Sequence, residues 1–256
     1  EQPRTTQCRS CVLTMWSSRG AIVVRRAKDA FTPRCPPYAH RSLSNFDARA
    51  QTWDTNEKMA MVAMAARLIE AQKWFQNSTE AMGRCLDFGC GTGLLAFELK
   101  SSCSEVVGHD TSEGMLQVMQ EKITAAGMES KMKTARTLES LGDFDLIVSM
   151  LCIHHVKDCA QQLKELSACL RPSGRLVIVD FEATANARRF HKEFERKGEH
   201  YEHDGLPADD LTKWLKEAAL SDVDLIRQPF EKVLAEGWPN AGTTETFQML
   251  IASGQK

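Results

Sequence analysis

The sequence predicts an α/β fold organised on a doubly wound, mostly parallel sheet. Short apolar runs of strand length alternate with helical stretches in five units, from Arg84-Cys85-Leu86-Asp87-Phe88 to Leu176-Val177-Ile178-Val179. The run Phe144–Met150 is nearly continuous in apolar residues, as a central parallel strand buried on both faces should be. The residues with chemistry in them (Asp87–Gly93, Asp110, Arg136 and Ser149–His155) fall after these runs. That is the carboxyl edge, where open parallel sheets bind ligands.

The chain of 256 residues is long enough for one such domain with a sizeable core and an appendage. It is 43% hydrophobic and 26% charged, an ordinary globular composition that excludes a disordered protein. A formal charge of −2 gives no electrostatic sign of nucleic acid or an anionic membrane as partner. No apolar run reaches the ~20 residues of a membrane span. Nine cysteines, an odd number scattered singly, argue for reduced thiols in an intracellular compartment. Cys8-Arg9-Ser10-Cys11 has half of a zinc spacing and no second pair, so no metal is assigned.

Residues 1–44 stand apart, with eight basic residues against two acidic ones and prolines at 33, 36 and 37. Arg-rich, Ser-bearing and acid-poor is the composition of an organelle transit peptide; the alternative is a disordered basic leader. The compartment follows that choice, mitochondrial in the first case and cytoplasmic in the second. The folded domain is expected over 45–256. A helix with Met59, Val62, Ala66 and Ile69 on one face is expected from about Glu57 to Phe75.

The chain turns on Asp87-Phe88-Gly89-Cys90-Gly91-Thr92-Gly93, between the first strand and a helix opening at Leu94. Three alternate glycines permit a sharp turn and a close ligand, and the helix start offers free N–H groups. A P-loop would need Lys and Ser/Thr after Gly93, where Leu94-Leu95 stand, and a dinucleotide fingerprint would need a small residue at Leu94. A second strand, Glu105–Asp110, ends in an acid 17 residues after Gly93. There a carboxylate can accept from both hydroxyls of a ribose. A helix from about Ser112 to Ala125 and a third strand near Lys131–Arg136 follow. His154 and His155, after the fourth strand, are candidates for proton transfer or for capping and packing the loop.

The pattern acidic-x-G-x-G-x-G resembles motif I of the class I S-adenosylmethionine (SAM) methyltransferases. Val107–Leu116 and Leu170–Phe181 resemble the family's later motifs, and the resemblance covers about residues 45–181. It implies a seven-stranded, Rossmann-like sheet with an antiparallel edge strand, to which Phe247–Ala252 is assigned. It implies SAM as cofactor and a small-molecule acceptor, because the Asp/Asn-Pro-Pro motif of amino-directed methylation is absent. Gly89, Cys90, Gly91 and Gly93 would admit the amino-acid arm, and Asp87 would orient the turn and bind the ammonium. Asp110 would hold the ribose and Thr111 and Met115 would flank the adenine. Thr134 stands where the family usually has Asp, so adenine recognition falls to the backbone near Ala135 and Arg136. Ser149 ends the strand that faces the methyl group. Phe46 and Trp53 would form part of a lid or pack the leading segment to the core. Helices over Ala187–Lys197 and from Leu206, with His200–Asp204 between them, would border the substrate side. Other readings are a SAM-binding assembly or regulatory protein, methylation of a macromolecule, and an NAD-dependent oxidoreductase, which Leu94 disfavours. Oligomeric state carries no expectation.

Overall fold

The computed structural model describes residues 44–77, 82–139, 141–187, 189–190, 202–234 and 240–256. The basic leader, His200 and nearly all of the helix expected over Ala187–Lys197 lie outside these residues. Among the described residues, no helix is long and apolar enough to cross a membrane.

The chain opens with α1 (Ser44–Arg49), a 3₁₀ turn (Ala50–Thr52) and α2 (Asn56–Glu70), whose N-terminus Thr55 caps by accepting from the Lys58 N–H. The single helix expected to Phe75 is broken. Gln72 takes an extended backbone, and a separate short helix, α3 (Lys73–Gln76), follows. The break turns Trp74 and Phe75 onto the core beneath α2, with the Arg175 guanidinium 4.8 Å from the Trp74 ring.

Next come β1 (Met82–Phe88), α4 (Leu94–Leu99), β2 (Cys103–His109), α5 (Glu113–Ala125), β3 (Met132–Ala135) and β4 (Phe144–Met150). A 3₁₀ turn (Ile153–His155), α6 (Cys159–Ala168), β5 (Leu170–Phe181), α7 (Ala208–Glu217), β6 (Ser221–Val233) and β7 (Thr244–Gln255) complete the chain. The seven strands form one sheet in the order β3-β2-β1-β4-β5-β7-β6. The ladders from β3 to β5 are parallel, and β7 runs antiparallel to both β5 and β6. This is the doubly wound, mostly parallel sheet with an antiparallel pair at one edge that the sequence implies.

Alternate strand residues serve opposite faces. Cys85, Leu146 and Val177 pack with Ala66, Leu99 and Ile123 of α2, α4 and α5. Leu86, Ile147 and Ile178 pack with Leu163, Leu166 and Leu211 of α6 and α7. Each large apolar side chain so buried contributes about 1.5–3 kcal/mol. The turn expected at Pro172–Gly174 appears as a bulge inside a longer β5. Leu170 pairs with Phe144 but Arg175 already pairs with Leu146, and Ser173 takes φ 67°.

The strand order reverses between β1 and β4. Asp87 lies opposite Gly108 of β2 and Val148 of β4, so the three strands end level. The crevice beyond those ends is where this topology places a ligand.

Candidate cofactor and acceptor site

The glycine turn wraps the end of β2. The N–H groups of Gly89 and Cys90 both donate to the His109 carbonyl, at 2.8 and 2.9 Å, and Gly93 N–H donates to the Cys90 carbonyl. Gly89, Gly91 and Gly93 have φ of 73°, 54° and 82°, the left-handed region that side chains disfavour. At Gly89 a Cβ would stand 2.2 Å from Cys152 Sγ, so the loop after β4 lies directly on the turn. At Gly91 the nearest atoms to such a Cβ are Trp53 Nε1 at 3.7 Å and Met115 Sδ at 4.0 Å. The turn therefore leaves room above Gly91, roofed by an indole and a thioether.

Asp87 is 1% exposed, and its Oδ2 accepts the Ala96 N–H at 3.0 Å, capping α4 from the strand. Burial raises its carboxyl to about 7, against the lowering effect of that bond; the nearby Asp110 charge adds to the rise. The orienting half of its expected role is thus visible. Asp110 joins the turn to α5: Oδ2 accepts from Gly91 N–H and Oδ1 from Ser112 N–H, each at 2.8 Å. Burial raises its carboxyl too, against N–H bonds from Ser112, Gly91 and Thr111. The carboxylate keeps accepting capacity for a ribose hydroxyl.

The other expected cofactor residues divide. Met115 is buried with Ala50 and Val118, and Phe46 and Trp53 pack on them. The Ala135 carbonyl accepts the Asp110 N–H at 3.4 Å, which brings β3 to the site through its backbone. The Arg136 side chain pairs with Glu113 at 3.1 Å on the surface. The Thr134 hydroxyl donates to Gln120. Ser149 is fully buried and its hydroxyl donates to the Phe88 carbonyl at 2.9 Å, so the side chain ties β1 to β4. Cys90 also lies under the turn, and burial holds it and Cys152 well above the ordinary thiol value, as protonated packing groups rather than nucleophiles.

The leading segment is clasped to the site at two points. Asp47 Oδ1 accepts from Ser112 Oγ at 2.6 Å and from Gly114 N–H at 2.8 Å. These two bonds, the hydroxyl first, lower its carboxyl pKa, helped by the Arg136 charge. Asp54 accepts from the Thr92 hydroxyl and pairs with Lys122, whose Nζ also donates to the Thr92 carbonyl at 2.9 Å. Phe46 meets Trp53 and His155 edge-on, each with centroids 5.7 Å apart. The rings pack the leading segment to Ala50, Met115 and Val118, with Trp53 beside Gly91.

The two histidines differ. His154 is buried, with Nδ1 2.6 Å from Asp180 Oδ1 and its backbone N–H donated to Asp180 Oδ2 at 3.1 Å. His155 is half-buried against Phe46, its centroid 4.1 Å from that of His154. Behind His154 lies an aromatic cluster of Phe181, Phe190, Phe230 and Phe247 with Leu151, which holds φ 52° at the end of β4. Glu202 and His203 N–H groups both donate to the His154 carbonyl, and His203 Nε2 lies 3.0 Å from the Val156 carbonyl. Among the described residues no three His, Cys, Asp or Glu side chains form a metal cluster. Among the described residues Cys85, Cys90, Cys103, Cys152 and Cys159 are free thiols.

Asp47, Asp54, Thr92, Lys122 and Asp180 had no role in the sequence reading. Asp180 alone carried a signal there, as an acid closing an apolar strand.

Residues 86–178 match the family model described as a methyltransferase domain. The chain is 31% identical to an uncharacterized methyltransferase of Schizosaccharomyces pombe, over 55% of this chain and 54% of that one. It is 32% identical to a ubiquinone biosynthesis O-methyltransferase of Dinoroseobacter shibae, over 55% of this chain and 61% of the relative. The matches thus span between half and two thirds of those relatives. The structure of magnesium protoporphyrin IX methyltransferase from Synechocystis with bound SAH aligns with a TM-score of 0.54 at 15% identity, covering 86% of this chain and 90% of that one. That likeness speaks for the fold alone. Glycine turn, strand-end acid, sheet order and matched domain agree: residues 86–178 carry a methyltransferase domain, similar to those of SAM-dependent methyltransferases.

Proposed function

We propose that this protein transfers a methyl group from SAM to a small-molecule acceptor, with residues 45–256 as the catalytic unit. The observation that carries the reading is the Asp110 carboxylate, hydrogen-bonded to the Gly91 N–H at the end of β2. It sets a diol acceptor beside a turn left open by three positive-φ glycines. SAM supplies an activated methyl on a sulfonium; the protein supplies alignment. Asp110 holds the ribose hydroxyls, and Gly89, Cys90, Gly91 and Gly93 admit the amino-acid arm. Asp87 fixes the start of α4 and meets the ammonium, while Thr111, Met115 and the backbone at Ala135 and Arg136 border the adenine. Phe46 and Trp53 exclude water from above. The O-methyltransferase named among the relatives supports a small hydroxyl-bearing acceptor.

Calorimetric titration of the full chain with SAM and S-adenosylhomocysteine tests this. Saturable binding of both is expected, and Asp110→Ala should weaken it by about 10–100-fold, the loss of hydrogen bonds to a charged acceptor. Absence of binding to the wild-type chain overturns the proposal.

A further inference from the structure

Beyond the end of β5 the last two strands run on alone. Phe181, the last residue of β5, pairs with Met249. Because β7 runs antiparallel, residues 244–248 and their partners on β6 overhang the carboxyl edge of the sheet. On the overhang Phe230 lies opposite Phe247, and Lys232 lies opposite Glu245. Strand positions two apart share a face, and these four are buried or half-buried while Glu231 and Val233 are exposed. The inward face of the overhang thus carries two aromatic rings and, further out, two charges.

Lys232 is the unbalanced charge. Its side chain is 11% exposed, and its Nζ stands 4.2 Å from the Phe190 ring centroid. Among the described residues its counter-charge is Glu57, in the first turn of α2, with Oε1 at 3.7 Å and a side chain 56% exposed. That is longer than a charge-assisted hydrogen bond of ~2.8 Å, and a carboxylate so far into water attracts weakly. Glu245, across the ladder, is paired with Arg189 through Oε1. A mostly buried ammonium is costly without a close, hydrogen-bonded partner. The lysine stem fills space beside Phe190 as a methionine would, and the charge at its tip adds nothing to that packing. The cofactor site does not supply the missing partner. Asp110 and the glycine turn stand at β1 and β2, and β4, β5 and β7 lie between them and β6. Aromatic rings bridge the interval: Phe230 is 5.7 Å from Phe181, and Phe181 is 6.0 Å from His154 after β4, centroid to centroid. An apolar path from the end of β4 to one under-paired cation suits an apolar molecule with an anionic end.

Resting on the methyl-transfer reading, we propose that Lys232 is a specificity-determining residue that binds the carboxylate of an anionic acceptor. The acceptor carboxylate takes the place at Nζ that Glu57 holds loosely, and the acceptor's apolar body lies toward the half-buried Phe230. Glu57 then acts as a weak competitor: it neutralises the cation in the empty site and swings into water when the acceptor arrives. The charge selects the acceptor and leaves the chemistry of methyl transfer to the other end of the molecule.

The test uses the full chain saturated with S-adenosylhomocysteine, with benzoate as the anionic probe and benzamide as its neutral counterpart, each titrated by calorimetry. The wild type should bind benzoate about 10–100-fold more tightly than benzamide, the worth of one hydrogen bond to a charged group. Lys232→Met, which keeps the apolar stem, should weaken benzoate to the benzamide level and leave benzamide unchanged. Glu57→Gln, at a largely exposed position, should tighten benzoate and leave benzamide unchanged, a response that a packing role for Lys232 does not produce. If Lys232→Met does not fold, Glu57→Gln carries the test. The proposal is overturned if the wild type binds the two probes equally or binds neither, if Lys232→Met keeps the preference or weakens both probes alike, or if Glu57→Gln leaves benzoate unchanged. A chain that binds S-adenosylhomocysteine and gives any of these results overturns this proposal alone. A chain that binds neither S-adenosylhomocysteine nor SAM overturns the methyl-transfer reading beneath it.

Discussion

Replacing Asp87 by Asn should stabilise the protein above neutral pH, although it alters the first residue of the cofactor motif. The carboxyl is buried at 1% exposure, and its value moves from 3.8 to about 7 on folding. Between those values the folded chain binds a proton that the unfolded chain has lost. Stability therefore falls as pH rises through this window, and the full cost stands above it. The span corresponds to an energy on the order of 4 kcal/mol. Asn keeps a carbonyl oxygen for the Ala96 N–H, and its amide adds a fixed penalty of about 1–3 kcal/mol if it finds no acceptor. That penalty does not vary with pH. Urea unfolding at about pH 4 and about pH 8 should thus show the variant gaining on the wild type by a few kcal/mol across the interval. In melting temperature this is roughly 10 °C for a chain of this size. SAM, cationic at its ammonium and sulfonium, should flatten the wild-type slope when present in excess and bind Asp87→Asn more weakly. A stability difference that stays constant from acid to alkaline pH would refute the reasoning, because it would mean that Asp87 ionises as freely in the folded chain as in the unfolded one.

Gly89→Ala should cost about 2–4 kcal/mol, combining a positive φ with overlap on Cys152. Cys152→Gly in the same chain should return the overlap part, and a thermal-melt double-mutant cycle reads the coupling. Ser149→Ala removes the buried hydroxyl bond to the Phe88 carbonyl and should cost about 0.5–1.5 kcal/mol in denaturant unfolding. Asp47 has a lowered carboxyl value, so its clasp contributes stability above the unfolded value and loses it as pH falls through the folded one. Trp53 fluorescence should then report release of the leading segment in acid ahead of global unfolding, and Asp47→Asn should remove that early phase.

Much of the site was legible because its parts are local. The glycine turn, the acid ending β2 and the apolar β4 each announce themselves within a few residues, and β4 spans Phe144–Met150 as read. The two acids, Asp87 and Asp110, also landed on the same sheet edge because topology puts strand ends together. The clasp and the histidine dyad were not legible, because they join residues far apart in sequence. Asp47 reaches Gly114 across 67 positions, Asp54 reaches Thr92 across 38, and Asp180 reaches His154 across 26. Nothing local says which acid a histidine will find. The tie that Ser149 makes to the Phe88 carbonyl was not legible either, because it spans 61 positions and joins two strands. The break at Gln72 escaped periodicity for a similar reason, since Trp74 and Phe75 gain more by turning onto the core than α2 gains by continuing.

The placement of β7 sets the timetable of folding during synthesis. β5 and β6 share no ladder; β6 joins the sheet only through β7, by pairs running from Val233–Thr244 to Ser221–Gln255, and β7 in turn pairs with β5 from Phe181–Met249 to Arg175–Gln255. While residues 244–255 are still inside the ribosome, β5 is a bare edge strand and β6 has no neighbour at all. The parallel part of the sheet, β3 to β5, can assemble early on neighbours already released, but β6 must wait for β7. In that interval the unpaired rim of β5 is the surface from which misassembly starts. A ribosome stalled before Thr244 should therefore display a nascent chain that a holdase chaperone grips, and one stalled well past Gln255 should display a chain that it ignores.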